Sequence, residues 1–193
     1  MKKSELKINY KNTALLIIDM QNDFIEKDAI IEVPGIRKNL LKYARFIDEC
    51  RNKGISIIYT KHIFSPRNNP IEARLFPELS KNGLRKNTHG SDIVTELYPK
   101  GNDVIIEKNR YDAFYGTNLD NVLKDKKIKN IIISGTMTNI CCDSTMRSAM
   151  YRDYNILFLS DLNYAFDKKV HDSTLKTVET NFGLVVSSKQ FSF

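Results

Sequence analysis

Residues 130–150 read NIIISGTMTNICCDSTMRSAM, and the order of residue types in them decides the fold. Asn130–Gly135 is a short run, rich in isoleucine, with no polar alternation. Such a run suits a strand buried on both faces. From Asn139 onward, Cys142, Met146 and Ala149 recur four and three residues apart, which is a helix with one apolar face. A strand passing through a glycine turn into a helix is half of a parallel β-α-β unit. The same alternation extends outward. Residues 13–19 (TALLIID), 55–60 (ISIIYT), 103–108 (DVIIEK), 155–161 (NILFLSD) and 183–188 (GLVVSS) read as further buried strands. Residues 35–54, 117–127 and 168–182 read as helices, with Leu40, Leu41, Ala44 and Ile47 as the apolar stripe of the first. The expectation is a three-layer α/β/α sandwich on a mostly parallel sheet of about six strands.

The chain has 193 residues, 41% hydrophobic and 27% charged, which suits one domain spanning residues 1–193. No apolar run reaches the roughly 18 residues of a membrane span. The opening MKKSELKINYKN lacks the apolar stretch and cleavage site of a signal peptide. Three cysteines, two of them adjacent, do not make a disulfide framework, so a reducing, cytoplasmic setting is expected. The net charge of +7 is compatible with nucleic acid, but acids and bases mix in runs such as KDKKIK (124–129). With no recognition motif beside it, the excess reads as solvated helix faces, and neither nucleic acid nor membrane is expected as a partner. Residues 64–102 hold four prolines and interrupt the strand–helix rhythm, as a binding loop or lid does.

Ligands of such sheets bind beyond the carboxyl ends of strands. Asp19, Lys61 and His62, Lys108, and the GTMTNICC run stand there. Cys142 shares the apolar helix face, whereas Cys141 falls with Thr145, Ser148 and Arg152 on a more polar face turned to the cleft. In a first helical turn, Cys141 would have its thiol pKa lowered by the helix dipole. Spacing alone leaves Cys141 open as a nucleophile or a small buried residue. Asp19 is open as a base or a cap, and Lys108 as a site cation or a surface lysine. His89 and His171, without visible partners, read as surface residues.

Three motifs, LLIIDMQNDF, IIEKNRYDAFYGTNL and ISGTMTNICCDSTMRSAM, together resemble the isochorismatase-like cysteine hydrolases. The resemblance runs from about residue 10 to the C-terminus and includes LSDLNYAFDKKVHDSTL. It implies a catalytic triad of Asp19 as general base, Lys108 as orienting cation and Cys141 as nucleophile. It also implies a cis peptide at Thr136–Met137, with the backbone N–H groups of Met137 and Cys141 forming an oxyanion hole. Isochorismatases that cleave a vinyl ether lack the cysteine, so its presence implies hydrolysis of a C–N bond through an acyl-enzyme. Nicotinamidases of the family hold a metal through Asp-x-His after the second strand and a further histidine. Here the run is TKHIFSP, so no metal and no cofactor are expected.

The CCDSTMRS run is closest to the branch with ureidoacrylate and biuret amidohydrolases, where CCESTARD is common. That branch implies a small amide or ureido substrate touched by Tyr111, with Phe24 and His62 as further pocket residues. Core packing remains an equal reading for both aromatics. A homo-oligomer, dimer or tetramer, is the family's habit. The alternatives are a nicotinamidase-type amidase, or a non-catalytic binding protein on the same fold.

Overall fold

The strands form where continuous apolarity announces them. In the computed structural model, which describes residues 8–191, they are β1 (Thr13–Ile18), β2 (Ser56–His62), β3 (Val104–Lys108), β4 (Asn130–Thr136), β5 (Asn155–Tyr164) and β6 (Leu184–Val186). The first seven residues of the segment tested for a signal peptide lie outside the described residues. The sheet runs β3-β2-β1-β4-β5-β6, and every pairing is parallel. Strand order reverses between β1 and β4, and a doubly wound sheet opens a crevice at that point.

The helices are α1 (Asn22–Ile25), α2 (Leu40–Asn52), α3 (Pro70–Leu75), α4 (Pro77–Asn82), α5 (Leu119–Asp125), α6 (Asp143–Met150) and α7 (Lys168–Asn181). β1 shows how both faces are covered. Leu15 and Ile17 pack with α2, while Ala14, Leu16 and Ile18 pack with residues of α5, α6 and α7. The stripe expected on α2 shifts in one respect. Leu41 is 71% exposed, and Tyr43, Phe46 and Cys50 complete the buried face with Leu40 and Ile47. Two large aromatics bury more area than one leucine, so they set the helix's rotation. Among the described residues no helix is long and apolar enough to cross a membrane.

Two features of the fold position the crevice. At the end of β4 the register with β5 shifts between Ile133 and Gly135, and β5 continues three residues beyond its expected end. Gly135 has φ +126°, and a Cβ there would stand 2.1 Å from the carbonyl oxygen of Ile18. Only glycine lets β4 approach β1 so closely at the crevice.

The second feature is the 64–102 excursion, which carries α3 and α4, each with proline at its first position. The run Gln21–Asp23 pins it down. Buried Gln21 donates to the carbonyls of His62 (3.1 Å) and Ser91 (2.8 Å) and accepts from the His62 N–H at 2.8 Å. Asn22 donates to the His89 carbonyl, and Asp23 accepts from the Leu84 N–H. The three polar residues after β1 therefore tie the long excursion to the strand ends.

Candidate active site

Four neighbouring strands, in the order β3-β2-β1-β4, deliver Lys108, His62, Asp19 and the Cys141 turn to one end of the sheet. His62 and Lys108 are direct register partners. Asp19 leaves β1 with φ +50°, a left-handed conformation that an aspartate tolerates better than most side chains. Thr60 grips it twice, accepting from the Asp19 N–H at 3.1 Å and donating to Oδ1 at 2.6 Å.

The Lys108 ammonium lies 2.6 Å from Asp19 Oδ2, with both side chains fully buried, and it donates to the Arg110 carbonyl at 3.0 Å. Asp19 Oδ2 is held by its ion pair with Lys108. Burial alone would lower the pKa of Lys108. Asp19 and Cys141 outweigh it, and the net shift is upward, keeping the lysine charged.

Cys141 is 3% exposed, and its thiol interacts with both Asp19 and Lys108. The expected lowering of its pKa is corrected here. Burial pushes the thiol up to about 12, and Lys108 offsets that only in part. Cys141 lies in a π-helical turn, Thr138–Cys142, that leads into α6, and burial there is the larger effect on the thiol. The resting group is thus a neutral thiol beside a carboxylate, and a thiolate forms only by passing its proton on. Cys142 is wholly buried with Met146 and Ala149, as its spacing predicts.

The Thr136–Met137 peptide is cis, and the carbonyl of Met137 accepts from the N–H groups of Ile140 and Cys142. The more polar face of α6 is engaged by residues 111–113 of the chain. Thr145 accepts from the Ala113 N–H at 3.0 Å, and Ser148 donates to Asp112 at 2.6 Å. These bonds clamp the segment carrying Tyr111 to the helix that follows Cys141.

His62 is 3% exposed, and burial first, then the charge of Lys108, lowers its pKa to about 3. The ring is therefore neutral, and its Nε2 is buried without a hydrogen-bond partner. It stacks on Phe64 and meets Tyr111 edge-on at 6.0 Å. Half-buried Tyr111 also borders a surface cavity of about 290 Å³ with Arg110, Asp112, Tyr115 and Ser144. Phe24 is 4% exposed and packs in the cluster on the other side of the sheet from Cys141, away from this group. A surface cleft of about 470 Å³ lies at the opposite ends of β5 and β6, away from the ionisable cluster.

The residues do not fit a nicotinamidase-type metal. Thr60 stands two residues before His62, and its hydroxyl is committed to Asp19. His89 is on the surface beside Glu26. Asp19, His62 and Cys141 do bring potential ligand atoms within 4.8 Å of one another. A lysine ammonium 2.6 Å from the carboxylate opposes a divalent cation there.

A model of the isochorismatase domain matches residues 13–190 of the chain. The chain belongs to the isochorismatase family. Within the family it is similar to ureidoacrylate amidohydrolase RutB of Agrobacterium fabrum, 28% identical over 93% of this chain and 88% of that protein. It is 31% identical to nicotinamidase 3 of Arabidopsis thaliana, over 92% of this chain and 86% of that one. A solved cysteine hydrolase from Pseudomonas syringae pv. phaseolicola superposes with a TM-score of 0.89 at 28% identity, covering 96% of this chain and 93% of the other. These isochorismatase-family relatives include amidohydrolases of small molecules.

Sequence reasoning missed Thr60 and Gln21, which look like ordinary strand and loop residues. It also placed His171 on the surface, whereas the ring is half-buried and bonded at both nitrogens. The motif holding His171 was noticed, but its partners lie far away in sequence.

Proposed function

We propose that this isochorismatase-family chain, acting as one domain over residues 1–193, hydrolyses a C–N bond of a small amide or ureido compound through a cysteine acyl-enzyme. The observation that carries the reading is the buried Asp19–Lys108 pair, 2.6 Å apart and interacting with the Cys141 thiol at the crevice of the sheet. Asp19 takes the thiol proton, and sulfur attacks the substrate carbonyl. The N–H groups of Met137 and Cys141 hold the oxyanion. Asp19 then protonates the leaving amine or ammonia and activates the water that hydrolyses the thioester, returning Cys141 to its thiol. Lys108 stabilises the negative charge as it passes between Asp19 and sulfur, and no cofactor enters these steps.

Neutral His62 and Tyr111 form the substrate-facing wall, and Phe24, packed in the other core cluster, is left out of it. The likeness to a ureidoacrylate amidohydrolase over nearly the whole chain favours a ureido substrate. The likeness to a nicotinamidase supports nicotinamide as the second candidate, although the metal-binding pattern is missing. We further propose that the protein works in the cytoplasm, where its free Cys50, Cys141 and Cys142 stay reduced. A homo-oligomer, dimer or tetramer, with neither nucleic acid nor membrane as partner, completes the proposal.

The test is ammonia release from ureidoacrylate, other N-carbamoyl compounds and nicotinamide, with intact-mass detection of an acyl adduct. Turnover with an adduct that disappears in Cys141→Ala supports the mechanism. Absence of both ammonia and adduct across the panel would leave a binding protein on a hydrolase fold.

A further inference from the structure

Thr138 and His171 are two polar groups at the nucleophile turn that the mechanism above does not use. Thr138 opens the π-helical turn, lies between Met137 and Cys141, and is fully buried. Its Oγ1 stands 2.9 Å from Nδ1 of His171, which α7 carries from the far end of the chain. The other ring nitrogen, Nε2, stands 3.2 Å from the Ser160 carbonyl on β5. A carbonyl only accepts, so Nε2 carries the proton. In the neutral ring Nδ1 is then the acceptor, and the Thr138 hydroxyl donates to it. One imidazole thus joins the turn bearing the nucleophile to the strand beside β4.

We propose that His171 is a positioning residue for acyl transfer, holding through Thr138 the turn that sets Cys141 and the Met137 N–H against the substrate carbonyl. The proposal rests on the amidohydrolase reading. A protonated ring would present N–H at both nitrogens, so Thr138 would have to reverse its hydroxyl and surrender the bond it now donates. Protonation therefore keeps the contact but reverses its direction, whereas a neutral His171 fixes Thr138 as the donor.

The surroundings favour that form. Burial lowers the pKa of His171, Lys168 adds to this, and the Ser160 carbonyl and Asp172 oppose it; the net direction is down. On the facing elements, β5 contributes Asp161 and Tyr164, which line with His171 a cleft of about 330 Å³. Asp161 is ion-paired with Lys42, so the nearest facing carboxylate is already neutralised. The cleft gives solvent protons a route to the ring.

The experiment compares wild type with His171→Ala, Thr138→Val, the double variant and His171→Asn, using kcat and KM across pH together with the rate of Cys141 alkylation. His171→Ala and Thr138→Val are each expected to lower kcat about tenfold with KM little changed, and the double variant no further, because both remove one bond. His171→Asn offers an amide oxygen to Thr138 without a titrating ring. It is expected to recover most of the kcat lost in His171→Ala, with KM little changed, because the bond from Thr138 is restored.

Unchanged kcat in Thr138→Val, or a kcat in His171→Asn no higher than in His171→Ala, overturns the proposal. Should His171→Ala fail to fold, these two variants carry the test alone. If wild type turns over none of the amides, the hydrolase reading fails separately. Cys141 alkylation then decides: slowing of about fivefold or more in Thr138→Val, restored to the wild-type rate in His171→Asn, upholds the link, and equal rates refute it.

Discussion

Replacing Asp19 with asparagine tests the electrostatics of the site most directly. The side chains are nearly isosteric, so packing is kept while the carboxylate charge is lost. In the intact protein that charge sits 2.6 Å from the Lys108 ammonium, with both side chains at zero exposure. At an effective dielectric of about 20, two unit charges at this distance attract by ~6 kcal/mol. Desolvating both ions consumes much of that gain, so the pair adds little net stability compared with apolar residues. Removing one partner is different, because the desolvation of the other remains uncompensated. Lys108 retains its bond to the Arg110 carbonyl, so the expected loss on unfolding is about 3–5 kcal/mol at neutral pH.

The pH dependence carries the stronger test. In the wild type, Asp19 and Cys141 together overcome burial and raise the lysine's pKa. Its contribution is therefore fully present below the unfolded value, about 10.4, and is lost only as pH rises through the higher folded value. In Asp19→Asn, burial acts without the carboxylate, and the folded pKa falls below the unfolded one. The stability deficit must then shrink as pH rises from 7 toward about 10, since the buried lysine sheds its proton. Urea denaturation followed by circular dichroism at pH 7, 8.5 and 9.5 measures this. A deficit below about 1 kcal/mol, or one that widens with alkalinity, would refute the reasoning.

Cys141→Ala is expected to abolish turnover while the fold survives, whereas Cys142→Ala keeps turnover and loses roughly 1 kcal/mol in a urea melt, as a wholly buried packing residue should. Because burial raises the Cys141 thiol to about 12, its alkylation rate, followed by intact mass, should climb through pH 9 without levelling; a plateau below about 8.5 contradicts the neutral resting thiol. Gly135→Ala would place a methyl 2.1 Å from the Ile18 carbonyl oxygen, so a loss of at least about 2 kcal/mol and a lower thermal midpoint are expected.

Local pattern was enough to make the fold legible. Continuous apolar runs such as residues 13–18 and 130–135 specify strands buried on both faces, because only a sheet with helices on both sides hides them from water. The different surroundings of the two cysteines were also legible, since Cys142 packs with Met146 and Ala149 while Cys141 meets Asp19 and Lys108, even though a π-helical turn replaces the first turn of the helix. Strand order could not be read, because nothing local says that β3 lies outside β2 or that β4 joins β1. That order is what gathers Asp19, His62, Lys108 and Cys141 from 122 residues of chain spacing into one buried cluster.

Protonation was decided by tertiary structure alone. By its position in sequence Lys108 is open as a site cation or a surface lysine, and only the folded chain buries it beside Asp19. The thiol expected to be acidic is held neutral by the same burial. His171 looked partnerless because Thr138 and Ser160 lie 33 and 11 residues away. Sequence sets side-chain chemistry and local periodicity, which act over a few residues. Desolvation and charge pairing act over a few ångströms of folded space, and only the completed fold supplies those distances.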